Sequence, residues 1–390
     1  PDHVPDHKDC AARPGRAMTW VFWWSVALIA YTYVGYLAWL WMRARISPWP
    51  PLRGAYETSV SVVMVVRNEQ QVLENKLRNL LELDYPGEHW QVVVVSDGST
   101  DLTEKILRGY ANHPRMRLVM NQLSSGKASG LNDAIAWAEG EVVVFTDARQ
   151  QIESGAIRRL VENFADPNVG SVSGELMLGD FASGEVTRGM GLYWKIEKAI
   201  RELESASGSV VGATGALYAV RRNLLVPLPE RTILDDVYLP MHVVRQGFRV
   251  IFDTRARAWD VPSLGAPREF RRKVRTLSGN YQLLQLAPWL LSGSNPILFE
   301  FISHKLLRLF VPFALLLALL SSMLLVCPFY RFALVVQLAF YGLAVLGMLK
   351  RKPDTVSRVA DAALTFVVLN VAAVVAFGYF VTGRKATWNS

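Results

Sequence analysis

From Ala17 to Met42 the chain runs "AMTWVFWWSVALIAYTYVGYLAWLWM" without a single charged residue. At about 1.5 Å per residue this run exceeds the roughly 30 Å of bilayer hydrocarbon, and Trp and Tyr stand at both ends, where interfacial aromatics belong. A backbone in lipid must satisfy its own hydrogen bonds, so the segment can only be a helix. It is too long for a removed signal peptide and reads as a signal anchor. Three more apolar stretches follow, Leu309 to Tyr330, Phe332 to Leu349 and Ala362 to Val381. With 51% apolar residues and 12 tryptophans, the 390-residue chain is too hydrophobic for an ordinary soluble protein, as four spans require.

The expected organisation is a disordered leader over residues 1–17, a spanning helix over 18–42, a cytoplasmic domain over 43–282, interfacial helices over 283–305, and spans over 306–330, 332–349 and 362–383. The 283–305 segment is apolar but broken by Pro288, Gly293 and Pro296, so it reads as lying on the membrane, with His304 as a headgroup-level or packing residue. The connection "KRKPDTVSR" carries Lys350, Arg351, Lys352 and Arg358, and the positive-inside rule puts it in the cytoplasm. Counting back, the "CPFYR" turn and the N-terminus lie outside, and the large domain lies inside a plasma (inner) membrane. Lys8, Arg13 and Arg16 on the outer side run mildly against this. Much of the net charge of +8 sits at membrane flanks, which removes its force as a nucleic-acid signal. The only two cysteines, Cys10 and Cys327, predict neither a disulfide framework nor a cysteine metal site.

From Val60 onward, short continuous apolar runs alternate with helix-period segments: "VSVVMVV", "QQVLENKLRNLLEL", "WQVVVVS", "DLTEKILRGYA", "MRLVM", "GKASGLNDAIAWAEG", "EVVVFT". Strands without period-two alternation are buried on both faces, which predicts a doubly wound α/β domain with a mostly parallel sheet. Ligands of such sheets collect outside the carboxyl ends of the strands. There the chain places Arg67-Asn68-Glu69, Asp97-Gly98-Ser99-Thr100-Asp101 and Asp147-Ala148-Arg149. "VVRNEQ" stands where a dinucleotide fold needs its glycine fingerprint, and "SSGKAS" lacks the first glycine and the Ser/Thr of a P-loop. Carboxylates dominate these ends instead. They suit hydrogen bonds to a base and ribose, and a divalent ion that holds a diphosphate.

The series "VVRNE", "VVVVSDGSTD", "GKASGLNDAI", "VVFTDA", "GATGALYAVRR", "ILDDVYL" and "RRKVRTLSGNYQ" resembles the catalytic domain of family 2 glycosyltransferases of GT-A fold. Among these it resembles the membrane-integrated polysaccharide synthases. The resemblance implies an inverting transfer of sugar from a UDP-sugar to a glycan acceptor at the membrane, in exopolysaccharide synthesis, with accessory export subunits as further partners. Transfer of one sugar to a lipid or lipid-phosphate acceptor is the alternative, and an inactive scaffold subunit is a lesser one.

The resemblance also assigns roles. Asp97 corresponds to the carboxylate that recognises the base, with Asn68, Glu69 and Ser99 beside the nucleotide, although Asp97 could instead cap a helix and Asp101 has the position of a helix-start acid. Lys127 would reach a phosphate. Asp147 matches the first acid of the family Asp-x-Asp, which binds Mg²⁺ or Mn²⁺, while Arg149 replaces the second. Of the paired Asp235 and Asp236, the latter matches the general base. Thr214 and Gly215 fall at the acceptor side. Arg272 and Arg275 stand near the family Gln-x-x-Arg-Trp and would hold the departing diphosphate, but Thr276 replaces the tryptophan on which a sugar ring would stack.

Overall fold

The computed structural model describes residues 13–86, 90–181, 183, 185–186, 192–261, 266–349 and 355–383. Most of the leader and residues 350–354 of the basic connection lie outside this set. The first apolar run forms α1 (Arg13–Ala30) and α2 (Tyr36–Ile46), continuous through a π-helical turn at Tyr31–Gly35.

The domain that follows is built on β1 (Val60–Val66), α3 (Leu73–Leu81), β2 (Trp90–Asp97), α4 (Thr103–Arg108), β3 (Met116–Asn121), α5 (Lys127–Ala136), β4 (Val142–Thr146), β5 (Gln151–Ile152), α6 (Ala156–Val161), β6 (Val169–Asp180), β7 (Glu185–Val186), α7 (Leu192–Ser207), β8 (Leu217–Arg221), α8 (Asp235–Arg245), β9 (Arg249–Asp260) and α9 (Ala266–Leu286). Among the described residues nine strands join in the order β3-β2-β1-β4-β8-β6-β9-β5, with β7 on β6.

Four strands, β3-β2-β1-β4, run parallel, as the sequence predicts. Every residue of β1 and β4 is buried, because α3 and α5 cover opposite faces of the sheet. Burying each of these valines is worth about 1.5–3 kcal/mol. Beyond β4 the sheet is mixed. β8 is antiparallel to both β4 and β6, while β9 runs parallel to β6 and antiparallel to β5. A run such as "LYAVR" shows that a strand is buried but not which way it points. Its direction is decided by insertion between β4 and β6.

The C-terminal part comprises α10 (Leu298–Phe301), a second π-helical turn at Ile302–Leu306, α11 (Leu307–Leu324), α12 (Pro328–Leu349) and α13 (Thr355–Thr382). Among the described residues four helical stretches are long and apolar enough to cross a membrane: Gly15–Ile46, Leu298–Leu324, Pro328–Leu349 and Val359–Thr382. The second starts at Leu298, directly after Pro296 and Ile297. The residues before it continue α9 and then form a 3-10 turn at Pro288–Leu291. α1 packs along α11, α12 along α13, and α9 along α13, with Tyr281 stacked on Phe380 at 5.2 Å. Cys327, just before α12, is disulfide-bonded, which corrects the expectation of no disulfide.

Candidate active site

The parallel half of the sheet ends in a braced rim. Asn68 takes a left-handed conformation (φ 55°) and its Oδ1 accepts from the Thr100 amide at 2.8 Å, while the Asn68 amide donates to Ser99 Oγ at 3.3 Å. The loops after β1 and β2 are thus clipped together. Asp97 is completely buried. Its Oδ1 accepts from the Ser125 amide at 2.7 Å, and its Oδ2 from Ser124 Oγ at 2.7 Å and the Gly126 amide at 3.0 Å. The carboxylate that the resemblance assigns to the nucleotide base is therefore occupied with fixing the loop that leads into Lys127. Gly98 permits this approach: at φ 61°, a Cβ there would lie 2.6 Å from the Ser124 amide nitrogen. Asp101 accepts from the Thr103 amide at 2.9 Å, the helix-start role that its position suggested. Burial works against its ionisation, but hydrogen bonds from Thr103 and Gln70 hold its carboxyl below the usual range.

Lys127, at the start of α5, bridges the two halves. Its Nζ lies 2.9 Å from Asp147 Oδ1 and 3.2 Å from Asp235 Oδ1. Burial opposes the ammonium, yet Asp147 and Asp235 outweigh it and raise its pKa. Asp147 is the open end of this bridge, with a side chain 39% exposed, whereas Asp235 is 5% exposed and also faces the Tyr218 hydroxyl at 3.3 Å. Tyr218 is itself stacked on Phe145 of β4 at 4.5 Å. Burial raises the carboxyl of Glu69 above its usual range, with Arg149 opposing and Asp147 and Asp101 adding to the shift.

Asp236, the next residue of α8, does not share the lysine. Its Oδ2 accepts from the Gly215 amide at 3.1 Å and its carbonyl accepts from the Ala213 amide at 2.6 Å, so the segment carrying Thr214 and Gly215 wraps the acid. Burial and the neighbouring Asp235 push its carboxyl up to about 6, against the pull of Lys127, Lys305 and Arg201. Such a group is ionised at neutral pH yet basic enough to accept a proton.

On the far side, Arg149 donates to Asp260 Oδ2 at 2.6 Å, and Arg272 of α9 lies 3.9 Å from the same oxygen. Arg149, which replaces the second family acid, and Arg272, which the resemblance sends to the diphosphate, are thus gathered by a buried acid at the end of β9. Sequence reasoning missed Asp260, although "RARAWD" carries the same signal as the end of β2, a buried strand finishing in a carboxylate. Arg275 lies one helical turn beyond Arg272 on α9. Lys76 was missed as well. It is buried beneath this rim, donates to Thr146 Oγ1 at 2.9 Å and the Gln150 carbonyl at 2.6 Å, and burial lowers its pKa to about 7. A separate cavity of about 610 Å³, lined by residues including Glu153, Arg255 and Arg257, contains none of the site residues named above.

Residues 61–226 match the family model described as glycosyl transferase family 2. The chain carries a family 2 glycosyltransferase domain. The chain is 28% identical over 190 residues to a beta-monoglucosyldiacylglycerol synthase of Synechocystis sp., covering 47% of this chain and 40% of the relative. It is 22% identical over 236 residues to a poly-beta-1,6-N-acetyl-D-glucosamine synthase of Staphylococcus epidermidis, covering 59% and 56%. The matched part thus spans about half the length of these curated relatives. A mannosyltransferase of Pyrobaculum calidifontis, solved with GDP-Man and Mn²⁺, superposes on the glycosyltransferase domain and the membrane helices together, with a TM-score of 0.73 at 25% identity over 94% of this chain and 100% of that one. The GT-A fold is therefore present with a mixed sheet and four candidate spans.

The Mn²⁺ belongs to that neighbour, and the donor set here can be compared with what such an ion needs. Among the described residues no three His, Cys, Asp or Glu side chains gather as a metal cage. Of the acids paired with Lys127, Asp147 is the half-exposed one, with Oδ1 against the lysine. That fits a divalent ion that shares a single protein carboxylate with phosphate oxygens and water, the usual manner of Mg²⁺.

Proposed function

We propose that this chain is an inverting glycosyltransferase that moves a sugar from a nucleoside diphosphate sugar to an acceptor hydroxyl presented at the membrane. The observation that carries this reading is Asp236, a carboxylate raised to about 6, gripped by the Gly215 amide and set beside the Lys127–Asp147 pair. The acceptor hydroxyl attacks the anomeric carbon and gives its proton to Asp236. The bond from that carbon to the diphosphate oxygen breaks on the opposite face, and the nucleoside diphosphate leaves with the electron pair. Inversion at the anomeric carbon follows from this single displacement.

Lys127, Arg149, Arg272 and Arg275 receive the diphosphate charge, the arginines by paired N–H donation and the lysine as a point charge. Asp147 would hold a divalent cation, Mg²⁺ or Mn²⁺, which when bound neutralises phosphate charge. Asn68, Glu69 and Ser99 line the nucleotide end, and Asp97 acts there through the Ser124–Gly126 loop. Thr214 and Gly215 face the acceptor.

A lipid-borne acceptor receiving a single sugar is the reading we adopt, ahead of a growing exopolysaccharide. Thr276 is exposed on α9 where the resembling synthases have a tryptophan platform, and a first relative is named for a glycolipid. The domain lies on the cytoplasmic face of a plasma membrane in this reading.

The experiment is a donor panel, UDP-sugars together with GDP-mannose, supplied to the full chain in nanodiscs with and without Mg²⁺ or Mn²⁺. Nucleotide release with a single-sugar lipid product is expected. Long glycan products would overturn the lipid reading, and binding without release would turn the chain into a scaffold.

A further inference from the structure

The span that begins at Leu298 brings charge into contact with α7. His304, in its π-helical turn, is completely buried, with Nδ1 2.8 Å from Glu204 Oε1 and Nε2 3.0 Å from Glu197 Oε1. Both ring nitrogens face carboxylate oxygens, an arrangement that the doubly protonated ring satisfies by donating twice. One turn on, Arg308 donates to Glu197 Oε2 at 2.5 Å. The first span joins the cluster, since Tyr36 donates to Glu204 Oε1 at 2.7 Å and the Tyr31 hydroxyl meets Ser303 Oγ at 2.8 Å. Arg43 reinforces the joint, pairing with Glu300 and donating to Ser207 Oγ at 2.9 Å. Tyr31 and Ser303 both sit in π-helical turns, a distortion frequent at functional sites.

The cluster does not stop at α7. Glu197 Oε1 lies 3.4 Å from Arg201 Nε, and Arg201 NH1 donates to Thr214 Oγ1 at 2.6 Å. Thr214 precedes Gly215, whose amide holds Asp236. Burial opposes ionisation of Glu197, but Arg308, His304 and Arg201 hold its carboxyl well below the usual range. Buried charges this well paired are costly to assemble when apolar side chains would pack as well. A cluster serving packing alone has no need to extend through Arg201 into the segment that wraps Asp236.

We propose that His304 is a positioning residue for the proposed base: through Glu197, Arg201 and Thr214 it fixes the 213–215 segment and thereby the carboxylate of Asp236 relative to an acceptor arriving from the membrane. This rests on Asp236 being the base. The membrane helices are then part of the catalytic geometry as well as an anchor.

The test uses the full chain in nanodiscs, with active sites counted by nucleotide binding. His304→Ala is expected to lower kcat about 10²-fold, the scale of a displacement near 1 Å, with donor Kd unchanged. Arg201→Met reproduces the loss, and Arg201→Lys, which keeps one donor, recovers part of it. The double variant His304→Ala/Arg201→Met is expected to be no slower than the slower single variant, because both cut one relay. A kcat per active site that stays at the wild-type level in His304→Ala overturns the proposal, as do losses that multiply in the double variant. Should His304→Ala not assemble, Arg201→Met on α7 decides alone by the same split between kcat and Kd. Asp236→Asn separates the two readings. Wild-type turnover in it removes the base itself, whereas its inactivity beside a fully active Arg201→Met removes only the relay.

Discussion

At the end of β2, Asp97 has no exposed surface and its two oxygens accept three hydrogen bonds from its own domain. At the start of α8, Asp236 accepts one bond from a glycine amide and has a buried acid as its neighbour. The first carboxylate is fully hydrogen-bonded; the second is held where ionisation is unfavourable. The parallel half of the sheet ends in a rim whose Asp97 is fully satisfied, while Asp236 in the mixed half connects through Gly215, Thr214 and Arg201 to the helical stretch that starts at Leu298. Lys127 bridges the two halves through Asp147 and Asp235.

The sharpest break in that contrast is Asp236→Asn. Turnover is expected to fall by about 10²–10⁴-fold, the range for loss of a general base, with donor binding retained in calorimetry. The same acid sets the pH response. With a carboxyl at about 6, kcat/KM falls as pH drops through that value, because the protonated acid cannot accept. Stability moves the other way: a pKa raised in the fold means the folded state binds the proton more tightly, so this contribution is present below the ordinary carboxyl range and is lost as pH rises through about 6. A melting series matched to a pH–rate profile checks both signs, and Asp236→Asn removes both.

Lys127→Met removes the bridge and leaves Asp235 buried without its cation. The expected loss is about 3 kcal/mol in denaturant unfolding, at the low end for a broken buried pair because Asp147 is 39% exposed. Donor KM rises as well. Gly98→Ala tests the rim: a left-handed backbone and a Cβ 2.6 Å from the Ser124 amide predict about 2 kcal/mol and faster proteolysis within residues 122–126. The smallest effect is Asp101→Ala, about 1 kcal/mol from a lost helix cap with turnover unchanged, measured by thermal melting and donor kinetics.

The parallel strands, the four apolar helices and the acids at strand ends were legible because burial, bilayer thickness and strand ends leave local marks. Asp260 was legible in principle, since it ends a buried strand as Asp97 does, but no partner for Arg149 and Arg272 could be foreseen. His304 read as a packing residue because one histidine in an apolar run carries no sign of two glutamates about a hundred residues earlier.

By itself the sequence determined four stretches long and apolar enough to cross a membrane, and an α/β domain with carboxylates at the ends of its parallel strands. The tertiary structure alone decided how each carboxylate is used. Strand direction beyond β4, the burial of Asp97 against its loop, the sharing of Lys127 and the joining of His304 to Asp236 all depend on groups distant in the chain. Burial and pairing set the protonation of a carboxyl, and neither is a property of its neighbours in sequence.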